Sequence, residues 1–315
     1  MKHHGIAFLV ALTFIFAGCS NDTPADTGVE GQQWTAATHS AGFDVRDSSS
    51  VVVYKDRLWL IGGNNGDFAG DVWSSSDGAV WTRATSAAAF PGRYGETALV
   101  FKNMMWVICG QQNINLNADV WSSSDGVTWN SATTNAPFAL RSYHTSVVFK
   151  GLMWVICGLS RTATVLDDVW SSADGINWNK ATDTAVGGLY GHSSVVFHNR
   201  MWIIGGESSP TNQFNIVSSS ADGITWDFVT YAAFAPRAFH SSVVFDGKIW
   251  VIGGDSGGLP RSDVWCSSDG ISWTEVTPAA NFETRAIQSS VVFDNKMWVI
   301  SGSGAHRMND SWYSP

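Results

Sequence analysis

All seventeen tryptophans of this 315-residue chain fall on one repeating grid. Trp59, Trp106, Trp154, Trp202, Trp250 and Trp298 recur at steps of 47 or 48 residues. Trp34, Trp81, Trp129, Trp178, Trp226 and Trp273 form a second series with nearly the same step. Trp73, Trp121, Trp170, Trp265 and Trp312 form a third, with Val217 in the vacant slot. A period of about 48 residues repeated six times means that one supersecondary unit is copied, and that the copies must bury their apolar faces on one another.

The fifth unit shows what the copy contains. Ser241 to Phe245 reads as a strand, Asp246-Gly247 as a two-residue hairpin turn, and Ile249 to Ile252 as a second strand. Asp263 to Ser267 is a third strand, Asp269-Gly270 another tight turn, and Ile271 opens a fourth. Val-Val-Phe and Ile-Trp-Val-Ile carry no alternation, which predicts that both faces of the first two strands are buried. The expected fold is all-β: a six-bladed β-propeller of four-stranded blades around an axis. The sixth unit stops at Pro315 before its fourth strand, and Gln32-Gln33-Trp34-Thr35 matches the missing piece. The N-terminal strand is therefore expected to join the last blade and remove the open edge.

Three domains are expected. Residues 1–18 read as a signal peptide: Lys2, then an apolar run from Gly5 to Phe16 that is short for a membrane span. Phe16-Ala17-Gly18-Cys19 resembles the bacterial lipoprotein signal, which implies lipidation of Cys19. Ser20 after the cysteine favours the outer membrane by the same resemblance. Residues 19–30 read as a flexible tether and 31–315 as the propeller. Membrane attachment is expected through the lipid alone, with the body a monomer outside the cytoplasm.

Without Lys2, 17 basic residues face 27 acidic ones. No run of Lys or Arg offers a footprint for nucleic acid or a polybasic membrane patch. Cys109, Cys157 and Cys266 show no paired framework and read as small buried side chains.

Gly62-Gly63, Gly205-Gly206 and Gly253-Gly254 follow the second strand, with Cys109-Gly110, Cys157-Gly158 and Ser301-Gly302 as variants. By these pairs the chain resembles the kelch family over about residues 31–315. The entries Arg141/His144 and Arg237/His240 fit as well. The repeated stretch Ser124-Asp125-Gly126-Val127-Thr128-Trp129 departs from that family and looks like a shortened sialidase Asp-box. Five copies of it indicate a structural turn. The resemblance implies ligand binding on the top face, built by the loops that enter the first strand and join the second to the third.

The candidate ligand-binding residues follow from that placement: Arg46, Arg93, Arg141, Arg161, Arg237, Arg285 and Arg307, with His144, His240 and Asp255. Guanidinium forks suit carboxylates, so a ring of them facing a funnel predicts an acidic ligand. Repeated arginines also brace blades, and that reading stays open beside the first. His144, His192 and His240 share one position in three successive blades but are too widely separated to predict a metal site. Glu96, His192 and Glu207 are the catalytic candidates should the chain act on acidic sugars, as a sialic acid mutarotase or a uronide lyase would. Every tryptophan is committed to blade packing, so none is left to stack on a sugar; Tyr94, Tyr143, Phe68, Phe214 and Phe239 could substitute, which weakens a neutral-polysaccharide reading. No cofactor is expected. The leading reading is a binding module for a protein partner or an acidic glycan; the alternatives are that enzyme and a structural surface protein.

Overall fold

The computed structural model describes residues 30–112, 115–116 and 118–315. The signal peptide, Cys19 and most of the tether lie outside the described residues. Six antiparallel blades of four strands, the third extended by the two-residue strand Arg141–Ser142, close into a ring. Blade one runs from the axis outward through Ser50–Tyr54, Arg57–Ile61, Val72–Ser75 and Thr82–Thr85. The innermost strands of blades two to six are Thr97–Phe101, Thr145–Phe149, Ser193–Phe197, Ser241–Phe245 and Ser289–Phe293. Each packs beside the next, and the sixth packs beside the first.

Burial follows the position of each strand. Second strands are buried along nearly their whole length, as Arg57–Ile61 and Lys296–Ile300 show. First strands alternate instead, because one face packs on neighbouring blades while the other lines the axial channel. The expectation of burial on both faces therefore holds for the second strand and is corrected for the first. Cys109 and Cys157 are fully buried, Cys266 is half-buried, and all three are free.

The blades are fastened to one another by a glycine lying on a tryptophan. In blades one to five the turn between strands three and four is built alike. The glycine N–H donates to a serine Oγ three residues back at 2.8 Å: Gly78 to Ser75, Gly126 to Ser123, Gly175 to Ser172, Gly223 to Ser220 and Gly270 to Ser267. The aspartate before it accepts two further backbone N–H groups, as Asp125 does from Val127 and Thr128, both at 2.8 Å. Each turn places its glycine Cα against the second-strand indole of the preceding blade: Gly126 on Trp59, Gly175 on Trp106, Gly223 on Trp154, Gly270 on Trp202 and Gly78 on Trp298. A β-carbon there would overlap the ring.

Ring closure reuses the same device with the chain cut through it. Thr35–Thr38 pairs with Ser311–Ser314, matching Thr35 to Tyr313 and Ala36 to Trp312. Gly31 lies on Trp250 and donates its N–H to Ser314 Oγ at 2.9 Å, across the two ends of the chain. Trp34 Nε1 then bonds the Gly31 carbonyl at 3.1 Å, as Trp81 bonds Gly78 at 2.9 Å.

The entry arginines form a second repeated lattice, and it corrects the expectation that they face the funnel. Arg46, Arg93, Arg141, Arg237 and Arg285 are buried inside their own blades. Each forks onto an aspartate in or just before its third strand, at Asp71, Asp119, Asp168, Asp263 and Asp310, with N–O distances of 2.7–3.0 Å. Each also lies over a phenylalanine, from Phe43 at 5.5 Å to Phe234 at 5.1 Å. The aspartate takes one more bond from the indole two residues on, as in Trp170 to Asp168 at 2.7 Å. Burial alone would raise the carboxyls of Asp71, Asp168 and Asp263; the arginine hydrogen bonds and charge outweigh it and hold them below the ordinary range. Four of the five N–H donors of each guanidinium are taken within its blade, and the group is buried away from the mouth.

Blade four abandons the whole set at once. Val186, Leu189, Ile216 and Ser218 stand where the others have Phe, Arg, Asp and Trp. Register identifies Ser218, opposite Ile203, as the occupant of the tryptophan slot that Trp73 fills opposite Leu60, so Val217 is corrected. Leu189, Val186 and Ile216 join the apolar core of that blade. Joint loss is what desolvation demands, since a lone aspartate left in place would be buried without its counter-charge.

Two stability predictions follow. Arg141→Leu alone strands Asp168 and should cost about 3–5 kcal/mol, whereas Arg141→Leu with Asp168→Ile should recover most of it; thermal midpoints of the three proteins decide. Gly126→Ala should cost about 2–4 kcal/mol through both its left-handed backbone and the displaced Trp59 indole, while Gly151→Ala, equally left-handed but in open space, should cost only about 1 kcal/mol. Equal losses at the two glycines would remove the indole contact from the account.

Candidate functional site

Two residues after each entry position the backbone meets the axis and turns. Ser48, Gly95, Tyr143, Gly191, Phe239 and Ile287 all take the left-handed conformation, with φ from 52° to 64°. That conformation lets each N–H reach the carbonyl of the neighbouring blade, and six such bonds make a closed circle. Gly95 donates to Ser48 at 3.2 Å, Tyr143 to Gly95 at 2.9 Å and Gly191 to Tyr143 at 3.0 Å. Phe239 donates to Gly191 at 2.6 Å, Ile287 to Phe239 at 2.8 Å and Ser48 to Ile287 at 3.1 Å. Four of the six carry side chains that ordinarily resist this backbone, and the circle offsets that strain by satisfying every amide that points at its neighbour.

This circle frames a central cavity of about 150 Å³. Tyr143, Phe239 and Ile287 line it from one position of the repeat. Ser49, Glu96, His144, His192, His240 and Gln288 line it from the next.

All of the latter six but Glu96 also act as struts between blades, Ser49 through Ser301 Oγ at 3.2 Å. His144 Nε2 meets Thr97 Oγ1 at 3.0 Å, His192 Nε2 meets Thr145 Oγ1 at 2.8 Å and His240 Nε2 meets Ser193 Oγ at 2.8 Å, each in the preceding blade. Gln288 Nε2 donates to Ser241 Oγ at 3.2 Å and to the Ile252 carbonyl at 2.7 Å. Several polar atoms in this layer have no hydrogen-bond partner: both carboxyl oxygens of Glu96, Nδ1 of the three histidines and Oε1 of Gln288. Among the described residues no three His, Cys, Asp or Glu converge on a point that would hold a metal ion.

Burial sets the charge of this layer. It pushes the Glu96 carboxyl up to about 8, against the opposing pull of Arg93 and Arg46. It brings His192 and His240 down to about 3 and holds His144 well below its ordinary value. At neutral pH the layer is therefore an uncharged acid among neutral imidazoles.

The catalytic candidates do not meet as a trio. Glu96 and His192 line the cavity, but Glu207 is not among its lining residues. Glu207 is buried beneath Tyr190, between the top loops of blades four and five. There Gln213 Nε2 donates to Glu207 at 3.2 Å and to Asp255 at 2.8 Å. Burial raises the Glu207 carboxyl, and the nearby Asp255 adds to the rise. Asp255 also accepts from Gly258 N at 3.0 Å, so it holds a loop in shape. Of the remaining arginines, Arg307 pairs with Asp47 at 2.7 Å and Arg161 is exposed in a top loop.

The aromatic candidates do assemble. Phe68 stacks on Tyr94 at 5.2 Å, Tyr94 approaches Tyr143 at 6.2 Å, and Tyr143 meets Phe239 edge-on at 5.3 Å. Tyr190 extends the run at 6.1 Å from Phe239 and was not anticipated from sequence. Phe214 packs instead against the core of blades three and four. Of this run Tyr143 and Phe239 line the cavity, Tyr94 and Phe68 pack in turn on Tyr143, and Tyr190 is itself buried.

The buried layer predicts a stability profile. Glu96 has its proton up to about pH 8 when folded but releases it near 4.5 when unfolded, so it favours the folded state below 4.5 and that contribution is lost as pH rises to 8. The histidines act oppositely: they protonate near 6.5 only when unfolded, so stability falls as pH drops from 6.5 toward 3. Thermal midpoints should peak near pH 6.5 and decline toward 8, and Glu96→Gln should flatten the alkaline limb. An unchanged alkaline limb in that variant would contradict a neutral Glu96.

The Kelch motif family matches residues 236–266, which carry the entry and first three strands of blade five. No curated protein matches the chain. Among solved structures, that of YjhT superimposes with a TM-score of 0.75 at 15% identity, over 87% of this chain and 96% of the other. A likeness at that identity is one of fold. The chain is a six-bladed β-propeller that carries a Kelch motif.

Proposed function

We propose that this chain is a non-catalytic binding module that takes an uncharged saccharide unit at its top mouth. The observation that carries the reading is the pair Tyr143 and Phe239 in the lining of a 150 Å³ cavity whose polar lining is neutral, with Tyr94 and Phe68 packed in turn on Tyr143. Sugar rings present apolar C–H faces to aromatic side chains and hydroxyls to the polar groups between them. An acidic glycan is disfavoured here, because the five entry arginines are held by aspartates and Glu207 and Asp255 lie beside the mouth.

The acidic-sugar enzyme has less support. Glu96 is neutral, His192 resists protonation, and Glu207 stands apart from both. The module works outside the cytoplasm, lipid-anchored through Cys19, in keeping with the N-terminal sequence.

Saturation-transfer NMR against neutral and acidic saccharides tests this reading. Neutral sugars should receive saturation without any change in their own resonances, and Tyr143→Ala should weaken the effect at least tenfold. Conversion of a sugar acid would make the chain an enzyme. Silence across the panel would leave a protein partner as the occupant of the mouth.

A further inference from the structure

The face opposite the mouth carries a second ring, and it is apolar. Each of the five Asp-Gly turns ends in an exposed aliphatic side chain: Val80 at 69%, Val127 at 52%, Ile176 at 54%, Ile224 at 55% and Ile271 at 54%. These are half of the ten large hydrophobic residues exposed among the described residues. The turns do not need them. Only the backbone N–H of each is used, bonding Asp77, Asp125, Asp174, Asp222 or Asp269 at 2.7–2.9 Å. Polar residues ordinarily fill such tips.

Their arrangement is fixed by the packing of the blades. Since each turn's glycine rests on the indole of the preceding blade, Val127, Ile176, Ile224 and Ile271, each two residues after its aspartate, stand at equivalent points around the axis, and Val80 stands one residue further along the turn of blade one. Lysines share that face. Lys55, Lys102 and Lys150 reach the turn carbonyls of Ser124, Ala173 and Ala221 at 2.8–3.0 Å, and Lys248 pairs with Glu30 at 3.1 Å. With the exposed aspartates of the turns interspersed, among them Asp56, Asp246 and Asp294 beside the lysines, the face carries both signs of charge around its aliphatic side chains.

The sixth place in the circle belongs to Glu30, Gly31 and Gln32. The chain therefore enters the propeller on this face. Cys19 precedes Glu30 by eleven residues, which span at most about 40 Å when fully extended. A lipid on Cys19 would hold this face, and not the mouth, next to the bilayer, where a short link makes even weak contacts effective.

We propose that the ring of Val80, Val127, Ile176, Ile224 and Ile271 rests on the lipid surface, seating these side chains at the boundary of headgroups and acyl chains and turning the mouth away from the membrane. The inference builds on lipid attachment at Cys19. The contact is apolar, so it forms on zwitterionic lipid and resists salt.

The test uses the full-length lipidated protein in phosphatidylcholine vesicles, in a Cys266→Ser background. A spin label is placed at Ile224→Cys in one sample and at Thr162→Cys, on a top loop, in another. Collisions with oxygen and with a water-soluble nickel chelate report the surroundings of each label. The label at position 224 should favour oxygen and that at 162 nickel, with no change in about 0.5 M salt. Adding Val127→Ser, Ile176→Ser and Ile271→Ser should return the first label to water without moving the thermal midpoint. Nickel access at 224 in protein that floats with the vesicles would overturn the proposed face while leaving the anchor intact. Protein that does not float with the vesicles would overturn both. Oxygen preference lost in salt, or a doubled mass with the label shielded from both reagents, would replace lipid with an ionic contact or with a second copy.

Discussion

The contact on which this molecule depends is a glycine pressed flat on an indole. Six times around the ring, a turn of one blade lies on the second-strand tryptophan of the blade before it. Only glycine leaves room for the ring, and only a left-handed residue makes the turn, so one residue type meets two demands. The indole in turn bonds a carbonyl at the end of its own first strand, as Trp106 does with Phe101 at 3.0 Å. Strand pairing within a blade and packing between blades are thereby tied to the same side chain. The sixth copy is assembled from both ends of the chain, through Gly31 and Ser314, so closure strengthens the ring without a disulfide.

Repetition has a consequence for function. A residue type that recurs in every blade is held by the lattice, and the Arg–Asp–Trp set shows how completely. Five guanidiniums that look like a ligand-binding crown are buried, forked onto carboxylates and covered by phenylalanines. Specificity must then reside where the repeat varies. The positions around the axis do vary: Ser48, Gly95, Tyr143, Gly191, Phe239 and Ile287 share one backbone conformation and have few side-chain properties in common. The backbone circle keeps the frame constant while the side chains mounted on it are free to differ.

The architecture was legible because tryptophan is rare and large, and its spacing survives even where the surrounding residues drift. Closure was legible because Trp34 keeps its place on the grid after the chain is cut. The entry arginines were not, since an arginine that braces a blade and one that faces a funnel have the same neighbours in sequence. A signal did exist. Their aspartate partners lie 25–27 residues downstream, two before the third-strand tryptophan, and blade four loses all members together at Leu189, Ile216 and Ser218. The aromatic run was half legible: Tyr94, Tyr143, Phe68 and Phe239 could be named, but Tyr190 is brought in only by the circle of backbone bonds, and Phe214 turns into the core. The alternation of the inner strands was hidden because the axial channel is lined partly by apolar atoms, so a channel-facing valine reads like a buried one.

The division between lattice and site is tested most directly by an alanine scan of the top face, in which each variant is read both for thermal midpoint and for saccharide binding by its folded fraction. Alanine at Arg93, Arg141 or Arg237 should lower the midpoint and leave the affinity of the folded protein unchanged. Alanine at Tyr94, Tyr143 or Phe239 should do the reverse, weakening binding with the smaller cost in stability. An entry-arginine variant that melts like the parent yet fails to bind would contradict the account, because it would place that guanidinium in the ligand's hands and not in the blade's.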